Sequence, residues 1–137
     1  MEKDKVQQKY MELQLLNQQI KQSQSQLEAL QQQLAELTNL NQNLEDFKDI
    51  KTGSEALVQI SNGIFTKAVI KDNKDVIVNI GADIAVKKDV PSTKKLVEAQ
   101  MEEIKKVHQQ RMEELQMTAM KASLLEKEIS GAAEKRG

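Results

Sequence analysis

Apolar residues recur at a seven-residue period through the first part of the chain. One set is Val6, Leu13, Ile20, Leu27 and Leu34, followed by Asn41. A second set, three residues later in each repeat, is Lys9, Leu16, Ser23, Leu30, Leu37 and Leu44. A repeat sustained this long predicts a helix that buries a narrow seam against another helix. Leu40 and Phe47 shift the stripe near its end, as a stutter does. No Gly or Pro interrupts residues 1–52, and Gly53 stands where a helix C′ residue would end it. Residues 53–91 read differently. Leu57, Val58 and Ile60 precede Asn62-Gly63, a pair that predicts a type I′ hairpin turn, and Ile64 to Ile70 returns along the first strand. After the polar turn Asp72-Asn73-Lys74-Asp75, Val76, Val78 and Ile80 lead through Gly81-Ala82-Asp83 to Ile84, Ala85 and Val86. Residues 92–137 return to helical spacing, beginning near Pro91 and Ser92. The stripe there is Val97, Met101, Ile104, His108, Leu115, Ala122, Leu125 and Ile129. Arg111 and Thr118 fall on the strict heptad positions, so Met112 and Ala119 are expected to rotate into the seam instead.

The expected architecture is α+β: a long antiparallel two-helix coiled coil with two β-hairpins inserted between the helices. Three segments follow, residues 1–52, 53–91 and 92–137. Each helical arm would be about 70 Å long at the usual rise per residue. Folding back from the insert sets Leu44 against Val97, Leu34 against Val107, Leu27 against Leu115 and Leu13 against Ile129, with both chain ends together. The hairpin segment is too small to close its own core, and its strands carry apolar residues on both faces: Ile64 and Phe65, Val69 and Ile70, Val76 and Ile77. Isolated hairpins would leave those faces and the strand edges bare. The segment is therefore expected to assemble an obligate oligomer in which hairpins of several subunits close a shared β-barrel. Its interface residues would be Val58, Ile60, Ile64, Phe65, Val69, Val76, Val78, Ile80, Ile84 and Val86.

Composition narrows the function. Of 137 residues, 30% are charged and 2% aromatic, which suits extended helix pairs better than a compact core. Twenty basic and 21 acidic residues give a net charge of −1 without a basic patch, so nucleic acid is not an expected partner. No apolar run approaches the ~20 residues that cross a bilayer. Glu2, Lys3, Asp4 and Lys5 follow the initiator where a signal peptide would be apolar, and there is no cysteine. A soluble, cytoplasmic protein is expected. His108 is the single histidine and makes no metal site. Gly81-Ala82-Asp83 is a turn and not a phosphate loop, because no lysine-bearing helix start follows it. Glu102-Glu103 and Glu113-Glu114, like the pairs Lys87-Lys88, Lys94-Lys95 and Lys105-Lys106, read as solvated charge. No catalytic residues, metal or cofactor are expected, and no enzyme.

The stretch Leu57-Val58-Gln59-Ile60-Ser61-Asn62-Gly63-Ile64-Phe65, followed by Val76-Ile77-Val78-Asn79-Ile80-Gly81 and set between heptad arms, resembles the prefoldins, specifically the α class of archaea. The resemblance spans essentially the whole chain. It implies a hexamer of two α and four β subunits, with rods hanging from a double β-barrel. It also implies ATP-independent capture of non-native proteins at the rod tips and their delivery to a group II chaperonin. The degraded heptad around His108, Arg111 and Thr118 departs from the ideal pattern. A client surface of adaptable apolar groups is expected in residues 1–13 and 117–130, comprising Val6, Tyr10, Met11, Leu13, Met117, Met120, Leu124, Leu125 and Ile129, because methionine adapts its shape to many partners. Two other readings of the same sequence are a prefoldin-like structural protein that polymerises through its hairpins into filaments, and a coiled-coil adaptor with fixed partners.

Overall fold

The segments of helical spacing become helices, the second running on through Gly131, and Gly53, Gly63 and Gly81 lie at turns beside the strands. A computed structural model gives the order α1 (Glu2–Lys48), β1 (Glu55–Ser61), β2 (Ile64–Val69), β3 (Asp75–Gly81), β4 (Ile84–Asp89) and α2 (Val90–Arg136). It describes residues 2–136, and the side chains of residues 3–132. Met1 and Gly137, the outer ends of the first and third expected segments, lie outside the described residues. The strands form two separate two-stranded antiparallel sheets, β1–β2 and β3–β4. The chain divides into two compact units. A helical unit joins residues 1–34 to 103–137, and a hairpin unit spans residues 35–102.

Burial along α1 follows the heptad. From Val6 to Leu44, every a and d position is half-buried or buried, the polar Lys9, Ser23 and Asn41 included. Phe47 continues the stripe three residues after Leu44, whereas Leu40 stays exposed and takes no part in the change of phase. On α2 the expected rotation does not occur. Thr118 is half-buried in the strict heptad position, while Met112 and Ala119 remain exposed. Moving the stripe by one residue would turn α2 by about 100° and lift Leu115 and Ala122 off a partner helix that keeps its own period. Holding the register costs less, because the Thr118 hydroxyl donates to the Glu114 carbonyl at 2.9 Å and is satisfied. Arg111 turns outward and lies 3.5 Å from Glu114. Val107 is exposed, and His108 is half-buried at the seam position beside it.

The buried residues of the helical unit are Leu27 from α1 and Ala122 and Leu125 from α2. In the hairpin unit, Leu44, Val90 and Val97 form a cluster ringed by Leu37, Phe47, Val76 and Met101. Leu44 and Val97 thus meet as the antiparallel fold-back predicts. Val90 is the most enclosed, at 1% exposure. It sits where β4 runs into α2 without a loop. Asp89 caps the new helix: its carboxylate accepts from the Ser92 N–H at 2.7 Å and its carbonyl from the Thr93 hydroxyl at 2.8 Å. Pro91 falls in the first turn, where a missing N–H leaves no bond unmade.

Two local expectations change. Gly53 does not end α1, which stops five residues earlier at Lys48. The Asn73 side-chain amide does that work, donating to the Lys48 and Ile50 carbonyls at 3.1 and 3.0 Å. Gly53, at φ +89°, instead turns the chain into β1, and its N–H reaches the Ile70 carbonyl at 2.7 Å. The type I′ turn is found in the second hairpin. Ala82 and Asp83 are both left-handed, at φ 51° and 60°, whereas Asn62 is not and only Gly63 is left-handed in the first hairpin. Both hairpins carry a register shift just before the turn, between Gln59 and Ser61 in the first and between Asn79 and Gly81 in the second, so the bulge does not distinguish the two turns.

Candidate functional site

No group of three or more His, Cys, Asp or Glu side chains among the described residues could hold a metal. No helix there is long and apolar enough to cross a membrane. The chain's most exposed large apolar side chains gather in two places.

The first is on the hairpins. Pairing of Leu57 with Lys67, Gln59 with Phe65 and Glu55 with Val69 sets Leu57, Phe65 and Val69 on one face of β1–β2. Pairing of Val58 with Thr66 and Ala56 with Ala68 sets Val58 on the other, and Ile60 and Ile64 flank the turn. Leu57, Val58, Ile60, Ile64, Phe65 and Val69 are all exposed. On β3–β4, Val78 faces Val86 and Val76 faces Lys88. These four are half-buried, with Val76 against the helix cluster. Ile77 on the opposite face is 77% exposed, and Ile80 and Ile84 beside the turn are exposed too. The interface residues expected from sequence therefore divide. Val58, Ile60, Ile64, Phe65, Val69, Ile80 and Ile84 are bare, whereas Val76, Val78 and Val86 are partly covered within the chain. Leu57 and Ile77 join the bare set. Their signal in the sequence is an apolar residue on the strand face where polar ones alternate.

The second is on the helical unit. Of the expected client residues, Leu125 is buried and Val6, Leu13 and Ile129 are half-buried, so these four are seam. Tyr10, Met11, Met117, Met120 and Leu124 point outward and are exposed. Leu15 belongs with them at 60% exposure; its apolar side chain on the polar side of the heptad was the clue. Met117, Met120 and Leu124 fall at i, i+3 and i+7 and share one face of α2, and Met11 and Leu15 fall at i and i+4 on α1. Lys9 Nζ lies 3.4 Å from Glu128 Oε2, tying α1 to α2 in the same unit. The seam is closed while these side chains are out in solvent.

Charge organises the base of the hairpin unit. Glu45 accepts from Lys94 and lies 3.7 Å from Lys48. The Lys94 hydrogen bond, then the Lys48 charge, holds its carboxyl below the usual 4.5. The Ser92 backbone N–H likewise holds Asp89 below 3.8. Lys87 Nζ lies 3.5 Å from Asp75 Oδ2 across the second hairpin, relieving the Asp75–Asp89 cross-strand pair.

Comparison with known proteins gives these features a context. A family model described as "Prefoldin subunit" matches residues 16–135. Prefoldin subunit alpha of Archaeoglobus fulgidus is 28% identical over 130 residues, covering 95% of each chain. Prefoldin subunit alpha of Methanobrevibacter smithii is 34% identical over 93 residues, 68% of this chain and 63% of the relative. Among solved structures, a chain of a filamentous prefoldin from Methanocaldococcus jannaschii superposes with a TM-score of 0.75 at 16% identity, covering 84% of this chain and 95% of that one. Helix, two hairpins and helix in this order, with a family match across nearly the whole length, place the chain in the prefoldin family, where it is similar to the archaeal α subunits.

Proposed function

We propose that this chain is an α-class subunit of an ATP-independent holdase chaperone. Its hairpins assemble it with prefoldin β-class subunits through a shared β-barrel, and its helical unit holds non-native proteins for delivery to a group II chaperonin. The observation that carries the reading is that, among the described residues, every large apolar side chain more than half exposed lies on the strands or within residues 10–15 and 117–124. Burying each large side chain is worth about 1.5–3 kcal/mol, so the exposed strand residues favour a permanent partner. The few outward Met and Leu residues of one chain bind weakly, and several chains gripping together raise avidity through effective concentration. Capture and release then need no nucleotide. The client residues are Tyr10, Met11, Leu15, Met117, Met120 and Leu124, with Val6, Leu13, Leu125 and Ile129 supporting them from the seam.

Replacing Met117, Met120 and Leu124 by Gln tests the client reading. Assembly with a β-class partner should persist while suppression of client aggregation is lost; unchanged suppression would refute it. Removing residues 56–88 tests the hairpins, since a deletant of unchanged mass in solution would exclude them from assembly. A second reading, hairpin-driven polymerisation into filaments, is favoured by the filamentous state named for the superposed Methanocaldococcus jannaschii structure. Electron microscopy of the purified chain alone separates the two, because filaments need no β subunit.

A further inference from the structure

The chain holds six methionines and no cysteine, so thioether sulfur is the only sulfur chemistry open to it. The methionines are not equivalent. Met101 is half-buried against the Leu44–Val90–Val97 cluster of the hairpin unit. Met11, Met117 and Met120 of the helical unit are 67%, 63% and 66% exposed, and Met112 is 37% exposed. Met117 and Met120 lie one helical turn apart on the outward face that Leu124 completes.

We propose that Met11, Met117 and Met120 are sites of reversible oxidation by peroxide, and that their conversion to sulfoxides switches the outward face of the helical unit from apolar to polar. Each step transfers one oxygen atom. The sulfur lone pair attacks a peroxide oxygen, the O–O bond breaks, an S–O bond forms, and the other oxygen leaves as water. The thioether loses two electrons and hydrogen peroxide gains them. Solvent access sets the order, since peroxide must reach the sulfur lone pair. Among the described methionines, the three outward thioethers therefore react ahead of Met112, and Met101 last.

The consequence follows from what these side chains present. A sulfoxide oxygen is a strong acceptor that must be solvated or hydrogen-bonded, and contact with an apolar segment of a client leaves it unpaired. The flexibility that suits methionine to many shapes stays, but the surface no longer favours leaving water. The fold is spared, because the a and d positions of the helical unit hold no methionine among the described residues. A methionine sulfoxide reductase would restore the thioethers, since this rung of oxidation is reversible. The effect on holding rests on the proposed client reading; the site selectivity does not.

The test treats the whole chain, assembled with a β-class partner, with graded hydrogen peroxide. Peptide mass mapping reads the sites, circular dichroism reads helicity, and an aggregation assay reads holding before and after treatment. Oxygen should appear first at Met11, Met117 and Met120, with helicity unchanged and holding weakened about tenfold or more, an effect of roughly one decade in affinity. Reductase treatment should reverse it. Met101→Leu, altered away from this face, should lose holding on treatment as the parent does. A variant with all three outward methionines changed to Leu should give equal holding before and after peroxide, whatever its starting level. Oxidation of Met101 at the same rate as the outward three, or treated protein that holds clients as well as untreated, would overturn the proposal. Untreated protein that holds no client would instead overturn the client reading and leave the site order to be judged by mass mapping alone.

Discussion

The hairpin unit and the helical unit both expose apolar side chains, but of different kinds. The strands offer Leu57, Val58, Ile60, Ile64, Phe65, Val69, Ile77, Ile80 and Ile84, mostly β-branched and stiff at χ1. The helices offer Tyr10, Met11, Leu15, Met117, Met120 and Leu124, dominated by unbranched or γ-branched chains with more rotamers to choose from. A stiff surface gains most from one complementary partner, since little rotamer entropy is lost on docking. A pliant one accepts many partners at lower affinity each. The difference teaches that exposure alone does not define function. On the proposed function, side-chain stiffness separates a permanent joint from a transient grip.

The comparison can be broken most forcefully at the strands. Replacing Ile64 and Phe65 together by Asp puts charge on opposite faces of the first hairpin; sedimentation should then find single chains in place of the assembly, with both helices still formed. Next in size is the cluster beneath the hairpins. Leu44→Ala should cost about 2–5 kcal/mol in denaturant unfolding, because Leu44 is buried and the helices cannot close over the gap. Asn41 acts in the opposite direction. Its Oδ1 is buried and meets no hydrogen-bond donor among the described residues, so Asn41→Leu should stabilise the chain by about 1–3 kcal/mol. A polar residue at an a position can specify register at a cost in stability, and on that ground the variant should also tolerate slipped helix pairing, seen as extra cross-links between α1 and α2.

Smaller effects sharpen the account of the hairpin unit. Asp89→Ala removes the α2 cap and should lower the unfolding midpoint by less than Leu44→Ala does. Asp89 and Glu45 both titrate below their usual values of 3.8 and 4.5. Their contribution is therefore complete above those values and is lost as pH falls through the lowered ones. Unfolding midpoints measured downward from about pH 5 should drop in the parent and drop less in a variant lacking both carboxylates. Smallest is Ala82→Gly. Ala82 holds a left-handed φ of 51°, so glycine relieves strain there while adding freedom to the unfolded chain. The expected net gain is about 0.5 kcal/mol, read from the thermal midpoint.

Much of the architecture is legible in the sequence because period and breakers are local signals. The heptads from Val6 to Leu44, and the glycines at positions 53, 63 and 81, suffice for helix, two hairpins and helix. Features that depend on a distant partner are not legible. Asn73 caps carbonyls 25 and 23 residues earlier in the chain, so nothing near it announces the role. Met112 and Ala119 are plausible seam residues when α2 is considered alone, and only the fixed period of α1 keeps Thr118 in place. Asn62-Gly63 is the favoured type I′ pair, yet the second hairpin takes that turn with Ala82-Asp83, against local propensity. On the outward face, Met117, Met120 and Leu124 stand out by residue type, whereas Leu15 hides between seam positions. The hairpin faces are legible as a problem, apolar on both sides, and the proposed solution is burial by other chains.

The most direct test of the account is the native mass of the purified chain, alone and mixed with a candidate β-class partner. A defined hetero-oligomer containing several copies of the partner is expected, abolished when Ile64 and Phe65 are changed to Asp. A stable single chain in both samples, with the strands exposed yet well behaved, would contradict it.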